Sequence, residues 1–290
     1  MLFISGYKIE RFINTKSRLF NTMREKFTLK DNIVNDALIA LSQSEGDLDL
    51  FRPTVEGGIA IHLYTIGDYP ELLRPSHDLD LSSYVHVTAR AFRELLGGNM
   101  AALLEEYNPQ LSKLRRNYEV KIEDEDEDSF LIHTYRFSNN GFQRSRDYVQ
   151  RKIENANNVQ IPGTFFDVRV TRPEDILESK MDRISKTSVA KKDLGIYSKL
   201  YKLAQEREID SLSIDELCAI LEEIKHFKGQ IPAYLERGKE DLNAALDEYC
   251  GMKDIYDIFL VGRLASESKL DFDEQYYDDV LALPSLNGRS

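Results

Sequence analysis

Two patterns of hydrophobic and polar positions divide this chain into two parts. Before residue 173, short segments of alternating polarity indicate strands, and amphipathic stretches between them indicate helices. From Pro173 onward the apolar residues recur at helical spacing almost to the end of the chain. The pattern therefore predicts an α+β domain over residues 1–172, including an N-terminal helical segment, and a helical bundle domain over residues 173–290.

The first part contains five predicted strands separated by helices or loops. The strands are predicted over residues 51–56, 78–85, 117–122, 130–138 and 164–170. Helices are predicted over residues 9–44, from Gly57 onward and over residues 88–107. In the second part, Ser213 and Glu216 have the spacing of a capping box, and the segment around Gly229 and Pro232 predicts a helix break.

One predicted strand presents two carboxylates on the same face. Side chains alternate along a strand, so Asp78 and Asp80 point to one side while Leu79 and Leu81 point to the other. Two neighbouring carboxylates repel each other unless a cation lies between them. A divalent metal site explains the pair. The alternative is the solvated face of an edge strand.

Further polar residues occur in an order that suits phosphate chemistry. Gly57 and Gly58 lie at a strand-to-helix junction, where glycine permits close approach and the free N–H groups of a helix N-terminus favour phosphate. Arg74 and Ser76 lead into the strand with the two aspartates, and Asp167 is presented by a later strand. Together these segments predict a site for a metal ion and a polyphosphate.

Three of these residues have simpler interpretations that the sequence leaves open. Asp167 could form a salt bridge with Arg169 or Lys180 instead of binding metal. Arg74 could pair with an aspartate and hold the strand in place. His62 lies in an apolar helical segment and is interpreted as a core residue.

Composition narrows the class of protein. The chain has 290 residues, of which 42% are hydrophobic and 30% charged, with a formal net charge of −12. It contains no apolar run long enough to span a bilayer, and its N-terminus has neither the apolar stretch nor the cleavage site of a signal peptide. The two cysteines form no CxxC pattern and are interpreted as buried thiols rather than as a disulfide or a zinc site. A cytoplasmic protein without a membrane partner is expected.

The charge is unevenly distributed along the chain. Residues 136–192 contain 12 basic and 7 acidic residues, whereas residues 206–290 contain 9 basic and 20 acidic residues. A basic middle region favours binding of a polyanion, and an acidic tail disfavours it.

Taken together, these segments resemble the nucleotidyltransferase superfamily that includes DNA polymerase beta. More specifically, they resemble the AbiEii toxin family, the nucleotidyltransferase-like partners of type IV toxin–antitoxin pairs in abortive infection. The resemblance covers about residues 51–200. The matching pieces are Gly57-Gly58-Ile59-Ala60, Arg74-Pro75-Ser76-His77-Asp78-Leu79-Asp80-Leu81, Asp167, Ile176-Leu177-Glu178-Ser179-Lys180-Met181 and Lys192-Asp193-Leu194.

The resemblance implies a polymerase beta-like mixed sheet with flanking helices and a Mg²⁺-dependent transfer of a nucleoside monophosphate from an NTP. Two Mg²⁺ ions are implied, with Mn²⁺ as the alternative ion. The implied catalytic and metal-binding residues are Asp78, Asp80 and Asp167. The implied nucleotide-binding and phosphate-binding residues are Gly57, Gly58, Arg74, Ser76 and Lys180.

The resemblance also implies partners beyond the NTP. The acceptor is a macromolecule, and RNA such as the tRNA 3′ end is favoured over protein. Residues expected to bind or support the acceptor are Lys186, Lys191, Lys192 and Asp193. A cognate antitoxin is a further implied partner.

Two departures from the family pattern concern catalysis. Ile196 stands where the last motif usually has a second aspartate, and a proline-rich loop fills the interval from Gly58 to Asp78. The alternative function is therefore a non-catalytic nucleotide- or partner-binding module on the same fold.

Overall fold

The computed structural model describes residue 19 and residues 22–43, 52–83, 94–113, 117–135, 143–192 and 194–282. Within these ranges the chain forms one mixed seven-stranded sheet together with many helices. The predicted α+β class is confirmed. The start of the predicted first helix, the region around Thr88 and Asp193 lie outside the described residues.

The chain divides into two compact units. The sheet unit comprises residues 26–176 and 272–290, and the helical unit comprises residues 1–25 and 177–271. The sequence predicts a domain boundary between residues 172 and 173. In the structure, each unit contains two separate stretches of chain.

The strands of the sheet unit include all five segments that alternate in sequence. The strands are β1 Thr54–Glu56, β2 Asp78–Ser82, β3 Gln110–Lys113, β4 Asn117–Glu123, β5 Ser129–Tyr135, β6 Asn157–Gln160 and β7 Asp167–Val170. Their order across the sheet is β3-β4-β5-β2-β1-β7-β6. β2 is parallel to β5 and β1 is parallel to β7, while the other neighbours are antiparallel.

The two longest helices of the described residues, with 24 and 28 residues, belong to the helical unit. The helices are α1 Asn32–Gln43, α2 Gly57–Thr65, α3 Met100–Leu103, α4 Gln143–Glu154, α5 Pro173–Ile184, α6 Ser188–Lys191, α7 Ile196–Gln205, α8 Ile214–Arg237, α9 Lys239–Ser266 and α10 Glu274–Ala282. A 3₁₀ turn covers Pro70–Leu72 and a π-helical turn covers Leu95–Asn99. No helix in the described ranges is both long and apolar enough to cross a membrane.

Alternation along the strands separates a core face from a polar face in the sheet unit. Leu79 and Leu81 of β2 are buried beside Val55 of β1 and Ile132 of β5. Burying a Leu side chain stabilises a fold by about 1.5–3 kcal/mol, so these residues fix the register of β2. The intervening Asp78 and Asp80 are thereby placed on the opposite face.

The helical unit confirms one prediction and corrects another. Ser213 and Glu216 form a capping box at the start of α8, as their spacing predicted. The predicted break at Pro232 is wrong, because α8 continues through it to Arg237. Ile224 and Ile231, which both precede Pro232, are buried, and this packing anchors the part of the helix that leads into the proline.

Candidate metal and nucleotide site

Asp78 and Asp80 lie on β2 at the end of the sheet where β1 gives way to α2. β1 and β2 are antiparallel, and Asp80 is paired with Glu56, the last residue of β1. Gly57 follows at once as the first residue of α2. The register of two neighbouring strands therefore brings the aspartate pair to the N-terminus of a helix.

The glycine pair is required by the close packing at this junction. Gly57 has a φ of +69°, and a Cβ atom there would lie 2.8 Å from Asp80 Oδ2. A Cβ atom on Gly58 would lie 3.2 Å from Arg74 Nη2 and 3.4 Å from Ser76 Oγ. The absence of side chains at both positions thus lets Asp80, Arg74 and Ser76 approach the start of α2.

The loop before β2 is held by hydrogen bonds to β2, to Phe27 and to α2. Ser76 Oγ donates to Asp78 Oδ1 at 3.0 Å, and the backbone N–H and C=O groups of Ser76 pair with those of Phe27. His62 is buried, as expected of a core residue, and its Nε2 donates to the carbonyl oxygen of Arg74 at 2.7 Å. Arg74 is therefore positioned by α2 itself.

His133 of β5 completes the polar group beside the aspartates. The parallel register of β2 and β5 pairs Asp80 with His133. His133 Nδ1 lies 3.8 Å from Asp78 Oδ2 and 3.8 Å from Asp80 Oδ1. On the other side of the ring, Nε2 lies 2.7 Å from Glu119 Oε2 on β4. Because an ionised carboxylate only accepts hydrogen bonds, Nε2 carries the proton.

The surroundings of His133 favour its charged form when no metal is bound. Burial lowers the pKa of the imidazole, but the close approach of Asp80 and Glu119 and the charges of the aspartate pair raise it to about 10. The imidazolium then supplies the cation that the neighbouring carboxylates need. Asp78 also faces a second imidazole, with His77 Nε2 at 3.5 Å from its Oδ2.

Asp78, Asp80 and His133 have the donor atoms and spacing of a metal site. One ligand atom from each residue lies within 4.8 Å of the others, and all three side chains are half-buried. Carboxylate oxygen and imidazole nitrogen are both ligands of divalent metals. The residues present therefore fit a divalent cation, whose coordination would draw the three donor atoms together.

The structure does not bring Asp167 to this group. Asp80 pairs with Glu56, and the neighbouring residue of β1, Val55, pairs with Val170. Asp167 lies three residues before Val170 on a strand parallel to β1, so it is displaced from Asp80 by about 13 Å along the strand direction. Asp167 is exposed at the opposite end of the sheet, whereas His133 lies beside the aspartate pair.

The predicted lysines belong to the helical unit. Lys180 is buried on α5, with its Nζ 3.0 Å from Asp254 Oδ1 and also in contact with Asp257. Its positive charge is thereby balanced by two aspartates of α9. Three predicted acceptor-binding residues are exposed, namely Lys186, Lys191 and Lys192.

Two cationic residues at this end of the sheet, His133 and Lys152, are not predicted by the sequence pattern. His133 alternates with buried Ile132 and Thr134 in β5, so its exposure to the polar face could have been inferred once the strand was placed beside β2. Lys152 of α4 is buried with its Nζ 3.7 Å from Glu56 Oε2. Burial lowers and Glu56 raises the pKa of Lys152, and the net shift is upward. No local signal identified Lys152.

Comparison with known proteins gives two likenesses in solved structures. The first is an antigenic nucleotidyltransferase-like protein from Paracoccidioides brasiliensis, with a TM-score of 0.37 and 19% identity over 53% of this chain and 67% of that one. The second is the antibiotic-resistance factor ANT(2'')-Ia, with a TM-score of 0.31 and 16% identity over 69% of this chain and 95% of that one. No protein-family model and no curated protein matches the chain. At these identities and TM-scores, the activity of neither protein can be assigned to this chain.

Replacing Gly57 by alanine is expected to damage the site. A left-handed alanine costs about 1–3 kcal/mol, and the new methyl group would also push Asp80 out of position. Urea unfolding and calorimetric Mn²⁺ titration measure the two effects. Gly98→Ala is the matched control, since its Cβ meets no atom within 4 Å and its φ is not positive. Equal stability and metal affinity for both variants would contradict the assigned packing.

The raised pKa of His133 predicts how stability depends on pH in buffer containing EDTA. The folded protein holds this proton up to about pH 10, whereas an unfolded histidine loses it near pH 6.5. Stability from the imidazolium is therefore complete just below pH 6.5 and is lost as the pH rises towards 10. The difference in unfolding free energy between wild type and His133→Gln should shrink over this range. A difference that does not vary with pH would contradict the charged state.

Proposed function

We propose that this chain is a metal-dependent nucleotidyltransferase that transfers a nucleoside monophosphate from an NTP to a macromolecular acceptor. The observation that supports this most strongly is the convergence at one end of the sheet. There the aspartate pair of β2, the glycine N-terminus of α2 and the loop residues Arg74 and Ser76 lie together. This combination of residues suits a metal-bound polyphosphate better than it suits a lone structural cation.

Each residue has a physical role in binding the nucleotide. The first N–H groups of α2 are available to an anion, because Glu56 at the N-cap makes no side-chain capping hydrogen bond. Arg74 is held beside Gly58 and can neutralise phosphate charge. We assign this role to Arg74 and the α2 N-terminus rather than to Lys180, whose charge is balanced by Asp254 and Asp257.

The proposed reaction is an in-line displacement at the α-phosphorus. The acceptor hydroxyl oxygen forms a bond to phosphorus, the bond to the β-phosphate bridging oxygen breaks, and pyrophosphate leaves while the hydroxyl proton is lost to a base. A bound divalent metal supplies Lewis-acid stabilisation of the phosphate charge. Asp78 and Asp80 would hold and orient that cation.

The proposal extends to the identity of the acceptor and to the biological role of the protein. We infer RNA, such as the tRNA 3′ end, as the acceptor, because residues 136–192 carry the local excess of positive charge. We further propose an AbiEii-type toxin role with a cognate antitoxin, on the basis of the sequence resemblance between residues 51 and 200.

The rival function is a nucleotide-binding module that does not catalyse transfer. It is favoured by Ile196, which begins α7 and is half-exposed where the family motif has its second aspartate. Both functions predict thermal stabilisation by a divalent metal plus an NTP. Only the transferase predicts that label moves to an acceptor.

Transfer from each α-³²P-labelled NTP to total RNA or total protein tests the function. Asp78→Asn and Asp80→Asn should each lower the rate by at least about 100-fold, because metal stabilisation is worth several kcal/mol and each 1.4 kcal/mol is tenfold. Asp167→Asn is the matched control and should keep the wild-type rate, since Asp167 lies at the far end of the sheet. Full transfer by either Asp78→Asn or Asp80→Asn would exclude the mechanism.

The exposed lysines predict how RNA binding depends on salt. Replacing Lys186, Lys191 and Lys192 by alanine should reduce the slope of log affinity against log salt by about 2 for single-stranded RNA. NTP affinity should not change. A triple variant at Lys225, Arg237 and Lys269, which are also exposed, removes the same charge from the acidic region as a control. Equal salt slopes for RNA binding by the two triple variants would contradict an acceptor-binding role for Lys186, Lys191 and Lys192.

A further inference from the structure

His133 occupies a fixed position relative to the aspartate pair because both belong to the sheet. The parallel register sets Asp80 beside His133, and the antiparallel register of β4 and β5 sets Glu119 beside His133. Three adjacent strands therefore present Asp80, His133 and Glu119 in one row on the polar face. This geometry depends on backbone pairing and not on the conformation of a loop.

Glu119 orients the imidazole ring towards the aspartates. The 2.7 Å hydrogen bond from Nε2 to Glu119 Oε2 leaves Nδ1 on the side of Asp78 and Asp80, at 3.8 Å from an oxygen of each. A histidine that binds metal through one ring nitrogen almost always donates the other N–H to a carboxylate or carbonyl group. The arrangement of Glu119 and His133 matches that pairing.

The donor set has a chemical consequence. Mg²⁺ is a hard cation that prefers an all-oxygen set, whereas an imidazole ligand favours first-row transition metals. Two carboxylates with one imidazole therefore suit a divalent transition metal better than three carboxylates would. A third aspartate in place of His133 would also add a like charge to a group that already includes Glu119.

We propose that His133 Nδ1 is the third protein ligand of the metal, that Glu119 positions it, and that the site selects divalent transition metals over Mg²⁺. The metal would replace the Nδ1 proton, which is released to solvent, while Nε2–H continues to donate to Glu119. This assignment deepens the proposed function, because it concerns the metal of the same site. His133 is the specificity-determining residue, and Glu119 is a positioning residue that acts through it.

Calorimetric titration of the purified full chain with Co²⁺, Mn²⁺ or Mg²⁺ alone tests the proposal without any transfer reaction. Wild type should bind Co²⁺ more tightly than Mn²⁺, and both at least about tenfold more tightly than Mg²⁺. His133→Asp should bring the affinities for Co²⁺ and Mg²⁺ closer together. His133→Asn, which adds no charge, should also lower the affinity for Co²⁺. This variant tests the ligand assignment if His133→Asp does not fold.

Glu119→Gln tests the positioning role. Loss of the carboxylate partner should weaken Co²⁺ binding by about 10- to 100-fold while leaving Mg²⁺ binding through the aspartates less affected. The visible absorption of bound Co²⁺ should also shift in this variant, because the orientation of a nitrogen ligand changes. Asp167→Asn should match wild type in affinity and spectrum.

The outcomes separate this proposal from the function proposed above. Equal Co²⁺ to Mg²⁺ ratios in wild type, His133→Asp and His133→Asn would overturn the ligand assignment, even if nucleotidyl transfer with Mg²⁺ were observed. Failure of wild type to bind any of the three ions would also overturn it. Selective Co²⁺ binding in a protein that transfers no nucleotide would support the metal site and contradict the transferase function.

Discussion

The repulsion between two carboxylates on one face of β2 is the constraint around which the site is arranged. Asp78 and Asp80 are next to each other on the polar face, and Glu119 adds a third acidic group across β5. Without a cation this arrangement would be unfavourable. The imidazolium of His133 supplies that cation in the metal-free protein, and a divalent metal would supply it in the loaded one.

The hydrophobic face of the sheet holds this unfavourable group in place. Leu79 and Leu81 alternate with the aspartates along β2 and are buried on the opposite face, so a slip of one residue would expose the leucines and bury the carboxylates. Gly57 and Gly58 then allow the N-terminus of α2 and Arg74 to approach the same end of the sheet. Core packing thus stabilises a charged arrangement that the polar residues alone would not maintain.

The sequence was sufficient for those parts of the site that depend on local pattern. Alternation placed the aspartates on one face, and the glycine pair and Ser76 were identified from residue type and order. The third residue beside the aspartate pair could not be identified without knowing which strands are neighbours in the sheet. Asp167 and His133 both lie on strands, but only the pairing of β2 with β5 distinguishes the residue beside Asp80 from the one at the far end.

Other differences between prediction and structure have the same non-local origin. The partners of Lys180 on α9 are more than 70 residues away in sequence, so the burial of its amine could not be inferred locally. The strands β3 and β6 lie at the two edges of the sheet and have few buried side chains, which leaves them without a clear alternation. α8 also continues past Pro232, although proline disfavours the interior of a helix, and Ile231 directly before it is buried.

The central claim is that Asp78, Asp80 and His133 together hold one divalent metal ion. An anomalous difference map from crystals grown with Mn²⁺ tests it most directly, because it locates the ion independently of any assay. The expected result is a single strong peak within coordination distance of an oxygen of each aspartate and of His133 Nδ1. A map with no peak between these side chains, or with Mn²⁺ bound to the aspartates while His133 remains with Glu119 alone, would contradict the claim.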